Sequence, residues 1–306
     1  MLKTTAVRPV GALSRRGRLG WVYIAPWLIG MLLFQLYPFV VSLFYSFTNY
    51  STSSSFNWVG IDNYVRMFTR DRDFWNSLIV TFRYVSMSVP LKIITALLIA
   101  LLLNMNVRGM NSFRTAYYLP SIMGGSVAVS ILWRNLFEYK GVVNTLLVTL
   151  GIPNIGWLSD PKVTLFTISL LSVWQFGSSM VYFLAGLKQI PHELYEAAKV
   201  DGAGAIRNFF CVTLPLLTPI VFFNLVMQLI NAFQEFTAAF VITNGGPVKS
   251  TYLYGMLLYQ NGFMHFRMGY ASALSWVLFV IILFFTLLVF RSSSYWTFYS
   301  DGGGSL

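Results

Sequence analysis

The sequence predicts an all-α integral membrane protein with six transmembrane helices, and three observations predict it. Only 10% of its 306 residues are charged, against about 25% in an average soluble chain. The mean hydropathy is +0.64 and 56% of the residues are hydrophobic. Apolar stretches recur along the chain, each supplying the roughly 20 residues needed to cross a hydrocarbon core. Backbone groups in lipid must pair within their own segment, which makes these stretches helices.

Taken in order, residues 1–19 form a basic N-terminus with Lys3, Arg8, Arg15, Arg16 and Arg18 and no acid. The apolar stretch that follows is too long for a signal-peptide core and long enough to span a bilayer. The six spans are placed at 20–48, 77–105, 115–138, 163–188, 218–243 and 270–291, within one transmembrane domain of residues 20–291. The third is interrupted by Pro120, Gly124 and Gly125, a pattern that fits a kink beside a cavity. Residues 49–76 hold Trp58, Tyr64, Phe68 and Trp75, which suit the headgroup zone. Residues 139–162 are expected to make a short interfacial helix and turn. Asn244-Gly245-Gly246-Pro247 is a turn signal. Residues 292–306 form a tail.

Basic residues set the orientation. Eleven fall on the side of the two termini and eight on the other. The acid-free N-terminus decides the matter, because the first helix usually dominates. Both termini are expected in the cytoplasm. The net charge of +11 is read as membrane orientation and contact with anionic headgroups, not nucleic-acid binding.

The segment 189–217 is a polar island between two apolar stretches. Pro191 can start a helix, and Glu193 and Glu196 lie near its positive end. Gly202 and Gly204 break that helix, and Asp201 is placed to cap a second. In the second helix Ile206, Phe209, Phe210 and Thr213 are expected on one face, with Pro215 and Pro219 ending it before the membrane. The spelling Glu196-Ala197-Ala198, Asp201-Gly202-Ala203, Phe209, Val212, Leu214-Pro215 and Pro219 resembles the EAA loop of ABC importer permeases. Trp58-Val59-Gly60-Ile61-Asp62-Asn63-Tyr64, Thr243-Asn244-Gly245-Gly246-Pro247 with Thr251, and Gly269-Tyr270-Ala271-Ser272-Ala273 leading to Arg291 resemble further stretches of the maltose and multisugar branch. Within that branch they resemble the larger-type permease subunit. Its best-known member has extra N-terminal spans and a large outer domain, which this sequence lacks.

The resemblance implies a type I importer fold in a bacterial cell membrane. It implies a second homologous permease, a dimer of cytoplasmic ATPase subunits, an extracytoplasmic solute-binding protein and a carbohydrate substrate. It assigns Glu196, Ala197, Ala198, Asp201, Gly202, Phe209, Leu214 and Pro215 to ATPase coupling.

The candidate solute path is read from the residues themselves. Asn224, Gln228, Asn231 and Glu235 are spaced 4, 3 and 4 in the fifth span, one stripe about three turns long, with Gln234 beside it. Polar stripes in lipid face a path or the bundle interior; interhelical hydrogen bonding is the plainer alternative. Amides and a carboxylate suit sugar hydroxyls, and Phe233 and Phe236 can stack on sugar rings or serve the core. Trp174 and Gln175 of the fourth span are further path candidates. Lys92, deep in the second span, needs a partner, and Glu235 is one candidate. Arg134 reads as an outer-end anchor.

Enzyme classes are disfavoured. His192 and His265 fall on opposite sides of the membrane in this topology, so no two-histidine metal site forms, and the only cysteine is Cys211. No G-x-x-x-x-G-K-[ST] is present to cradle ATP phosphates. Neither cofactor nor metal is expected. An importer of glycerol phosphates or another non-sugar remains open, as does a stand-alone channel or secondary transporter.

Overall fold

A computed structural model describes residues 21, 23–51, 57–105 and 109–298. The basic N-terminus, Arg108 and the DGGGSL tail lie outside them. The described residues are almost wholly helical, with one isolated β-bridge between Thr48 and Trp58. Four helices are each long and apolar enough to cross a membrane, and the number rises to six if each of two bent pairs counts as one span.

Helix α1 (Tyr23–Ser46) packs its second half on the last helix, where the Phe39 and Trp276 rings lie 4.5 Å apart and Trp276 Nε1 donates to Ser42 Oγ at 3.2 Å. The stretch Trp58 to Tyr64 has a structural task. Asn63 Nδ2 donates to the Ser46 and Thr48 carbonyls at 2.8 and 2.9 Å, and Tyr64 OH donates to Ser46 Oγ at 2.8 Å. These bonds satisfy carbonyls left open at the end of α1. Gly269 is required at the same junction, since a Cβ there would collide with the Thr48 carbonyl.

Helix α2 (Asp62–Thr69) leads to α3 (Arg72–Leu103), the central rod. Asp71 caps α3 by accepting from the backbone N–H groups of Asp73 and Phe74 at 2.9 and 3.2 Å. This cap starts α3 five residues before the expected position 77. The expected third span is not one straight helix. Helix α4 (Met110–Ile122) and the following Val127–Thr149 segment, made of α5 (Val127–Phe137) and α6 (Val142–Thr149), meet at 99°. Gly125 takes φ +68° in the bend, and Ser126 caps α5 through Val129 N–H. The expected fourth span is likewise bent, by 47°, between α7 (Thr164–Trp174) and α8 (Gly177–Leu187).

After α9 (His192–Val200), α10 runs without a break from Ala205 to Phe233, followed by the short α11 (Thr237–Thr243). The expectation that Pro215 and Pro219 end a separate second helix is therefore corrected. A wider π-helical turn at Phe209–Thr213 closes with Leu214 N–H donating to the Phe209 carbonyl, and α-helical geometry continues from Leu214 through both prolines. The same extra residue per turn rotates the helix. Thr213 faces inward and Phe209 is half-buried, whereas Ile206 and Phe210 are exposed, so these four do not share one face. Helix α12 (Tyr254–Tyr259) and α13 (Met268–Trp296) complete the bundle.

Ala96, Ala100 and Leu103 of α3 pack with Met180, Phe183 and Leu187 of α8 and Leu217 of α10. The C-terminal end of α3 thus adjoins the α9 hairpin, and its Arg72 end lies at the opposite end of the bundle.

Candidate functional site

Two places carry the polar and exposed groups that the sequence singled out. The first is the hairpin of α9 and the start of α10. Helix α9 ends with Gly202 at φ +76°, while Gly202 N–H and Ala203 N–H donate to the Lys199 and Ala198 carbonyls at 3.0 and 2.9 Å. This is a Schellman closure, and glycine is the residue that meets its left-handed position without steric cost. Asp201 belongs to this end of α9. It does not cap the second helix, whose N-cap is Gly204 with no side-chain hydrogen bond. The arms are tied by a 3.2 Å hydrogen bond between Tyr195 OH and Thr213 Oγ1.

Glu196 lies on the exposed face, 2.9 Å from Lys199 Nζ and 3.6 Å from His192 Nδ1. The Lys199 hydrogen bond and charge hold its carboxyl below the usual carboxylate range. Ala197 is exposed beside it, and Ala198, Phe209, Leu214 and Pro215 are half-buried at the root. Val200, Ile206 and Phe210 are 88%, 77% and 60% exposed. Together they give the polar hairpin exposed apolar tips. Their type was visible in the sequence, but their outward aim depends on the closure at Gly202 and the π-turn.

The second place is a polar cavity of about 160 Å³ at mid-bundle. Tyr84, Ser88 and Lys92 of α3, Ser172 of α7, Gln175 at the α7–α8 bend, Gln228 and Asn231 of α10, and Glu235 line it. Gln228 is fixed by donating Nε2–H to Ser179 Oγ at 3.0 Å. Glu235 Oε1 accepts from Ala238 N–H at 3.0 Å and so caps α11. Lys92 and Glu235 face the same cavity and attract across it, without an ion pair inside 4.0 Å. The buried Ser88 hydroxyl and the Ser172 hydroxyl stand beside the Tyr84 hydroxyl. A cation, a carboxylate, two amide-bearing residues of α10 and the hydroxyls of Tyr84, Ser88 and Ser172 can together accept from and donate to a polyhydroxylated solute.

The two bends build this cavity. Ser121, in the turn before Gly125, donates to the Gln175 carbonyl at 3.1 Å and accepts from Ser178 N–H at 3.2 Å. The broken third span therefore packs on the break in the fourth, turning Gln175 inward.

The stripe read from spacing divides. Gln228, Asn231 and Glu235 reach the cavity. Asn224 is fully buried below it, with Nδ2 donating to the Ile220 carbonyl at 3.0 Å and Oδ1 without a partner. Gln234 is the exposed C-cap of α10. Trp174 stands beside Trp133, ring centroids 6.1 Å apart, outside the cavity lining. Phe233 is a core residue, packed on Phe82 at 5.4 Å and Phe285 at 5.7 Å. Tyr84, Ser88 and Ser172 were missed, because serine and tyrosine in a span carry no periodic signal. Lys92 was the residue of α3 that the sequence marked as deep and in need of a partner.

Residues 67–295 match the family described as binding-protein-dependent transport system inner membrane component. The chain belongs to this family. It is a transport-system membrane subunit and not an enzyme. It is 52% identical over 285 residues to the probable ABC transporter permease protein YesP of Bacillus subtilis, covering 92% of each chain. It is 33% identical over 282 residues to the lactose transport system permease protein LacF of Rhizobium radiobacter, covering 90% and 94%. It is 30% identical over 309 residues to the arabinooligosaccharides transport system permease protein AraP of Bacillus subtilis, covering 95% and 97%. Among solved structures, a chain of a bacterial alginate ABC transporter in complex with an alginate pentasaccharide-bound periplasmic protein superposes with a TM-score of 0.80 at 22% identity, covering 94% and 97%. That likeness shares the fold.

Proposed function

We propose that this chain is the permease subunit of an ATP-driven importer of oligosaccharides, forming part of the solute path and the joint that couples it to ATP hydrolysis. It pairs with a second, homologous permease and a cytoplasmic ATPase dimer, and a binding protein delivers solute from outside. Both termini and the α9 hairpin are cytoplasmic. The relatives named for lactose and arabinooligosaccharides support the solute class.

One observation carries the mechanism: α10 bears the coupling surface at one end and the cavity wall at the other. Its 29 residues make a rod of about 44 Å. A push on Ile206 and Phe210 by closing ATPase subunits therefore displaces Gln228 and Asn231 as one body. No phosphate chemistry is needed in this chain.

Lys92 gives the glycerol phosphate alternative one inward-facing cation. Glu235 on the same cavity balances it, which favours a solute that uses both charges as hydrogen-bonding groups over a doubly charged phosphate. Affinity purification of the intact complex, followed by ATP hydrolysis measured with the cognate binding protein and a panel of oligosaccharides, tests the proposal. Stimulation by at least one sugar is expected. Stimulation by glycerol phosphates alone would overturn the solute class, and purification without an ATPase partner would overturn the machinery.

A further inference from the structure

A second polar concavity, of about 300 Å³, lies at the end of the bundle away from the hairpin. Arg134, Glu138, Tyr139, Trp157, Ser159 and Thr243 contribute to its walls. Arg134 Nε and Glu138 Oε1 are 3.6 Å apart and half-exposed. Tyr139 is 61% exposed, and its ring makes no hydrogen bond or ring contact among the described residues.

The loop beneath is built to hold still. Asn144 is 1% exposed and uses its whole amide. Nδ2 donates to the Tyr139 and Ile155 carbonyls at 3.0 and 2.9 Å, and Oδ1 accepts from Ile155 N–H and Trp157 Nε1–H at 3.1 and 3.0 Å. The Trp157 ring is thus fixed by its polar edge while its body lines the concavity. A surface loop pinned by a buried amide is the kind of support that functional side chains need.

The concavity is joined to the central cavity in two ways. Helix α11 has Glu235 before its start and Thr243 at its end, one group in each cavity, and its seven residues span about 10 Å. A run of rings also links them: Trp174, next to Gln175, lies 6.1 Å from Trp133, which is 5.0 Å from Phe137, which is 5.5 Å from Trp157.

We infer that this concavity is a second carbohydrate subsite, which holds a sugar unit of the same oligosaccharide whose leading end occupies the central cavity. Tyr139 and Trp157 supply ring faces, Arg134 donates to hydroxyls and Glu138 accepts from them. The inference rests on the proposed function and adds to it a solute longer than the central cavity alone holds.

The test is uptake by the complete complex in proteoliposomes, with the cognate binding protein outside. The probes are disaccharide and tetrasaccharide pairs from the α-1,4-gluco, α-1,5-arabino and β-1,4-galacto series. Tyr139→Ala and Glu138→Gln each lower tetrasaccharide uptake by about two- to tenfold, the loss of one ring or hydrogen-bond contact. Disaccharide uptake and basal ATP hydrolysis stay within about twofold, and Tyr139→Phe keeps tetrasaccharide uptake. Equal losses for both chain lengths, or none for either, would overturn the subsite while leaving the importer reading intact. Uptake of none of these sugars by the unsubstituted complex would overturn both.

Discussion

The hairpin and the central cavity invert the usual placement of polar and apolar groups. At the hairpin, Val200, Ile206 and Phe210 point outward while a local hydrogen-bond closure at Gly202 keeps the shape. In the cavity, Lys92, Gln228 and Glu235 sit inside an apolar bundle, brought together from distant parts of the chain, with Gln228 held by Ser179 and Glu235 by the cap it makes at Ala238. Each exposes what its environment penalises, and in the proposed function each meets a partner: a protein surface for the first, a hydrated solute for the second. Because α10 bears both, occupancy at one end can be felt at the other.

The largest expected effect comes from reversing the charge at the hairpin. Glu196→Lys places a cation beside Lys199 and His192 and removes the anion that both face. ATP-dependent uptake should fall to background while the chain still inserts, as checked by membrane fractionation. Normal uptake would remove Glu196 from the coupling surface and leave the comparison with one functional side only.

A smaller effect is expected at the turn. Leu at position 202 must adopt the left-handed conformation, which costs roughly 1–2 kcal/mol. Copurification of the ATPase with Gly202→Leu should weaken without loss of the permease itself. Undiminished copurification would mean that the turn geometry is not what presents the apolar tips.

The cavity substitutions are graded more finely. Gln228→Leu or Asn231→Leu should lower apparent affinity or rate by roughly two- to tenfold, the worth of one hydrogen bond to a hydroxyl. Copurification of the ATPase should be unchanged. Asn224→Leu, aimed away from the cavity, should leave uptake unaffected and test stability instead. Glu235→Gln keeps an acceptor for Ala238 N–H but removes the charge facing Lys92. A modest uptake defect marks the carboxylate as a solute acceptor; a large loss of folded protein marks it as the counter-ion of Lys92. If Leu at 228 and 231 both transport normally, the cavity is not the path.

The difference between the regions also explains what the sequence revealed. The hairpin was legible because its determinants are local: Pro191, Gly202 and the run of acidic and apolar residues lie within a few turns of each other. The six apolar stretches were legible for the same reason. What escaped was the phase and continuity of helices. Pro215 and Pro219 read as stops, yet a π-turn carries the helix through them. Spacing alone placed Asn224 with Gln228, but the cavity forms where the 99° and 47° bends meet, above Asn224. Only Lys92, a charge amid apolar residues, pointed from α3 toward that meeting.

The continuity of α10 is the centre of the account, and spin-label distances test it most directly. With Cys211 replaced by Ser, labels at Phe210→Cys and Met227→Cys mark the hairpin and the cavity end of α10, and a third at Leu91→Cys marks α3; all three sites are exposed. In the assembled complex the 210–227 separation, roughly 25 Å along the helix, should stay fixed between the ATP-free and ATP-trapped states, while the 227–91 separation changes. A change in the 210–227 separation with 227–91 constant would mean that the helix yields at the π-turn and prolines, and that the hairpin does not drive the cavity wall.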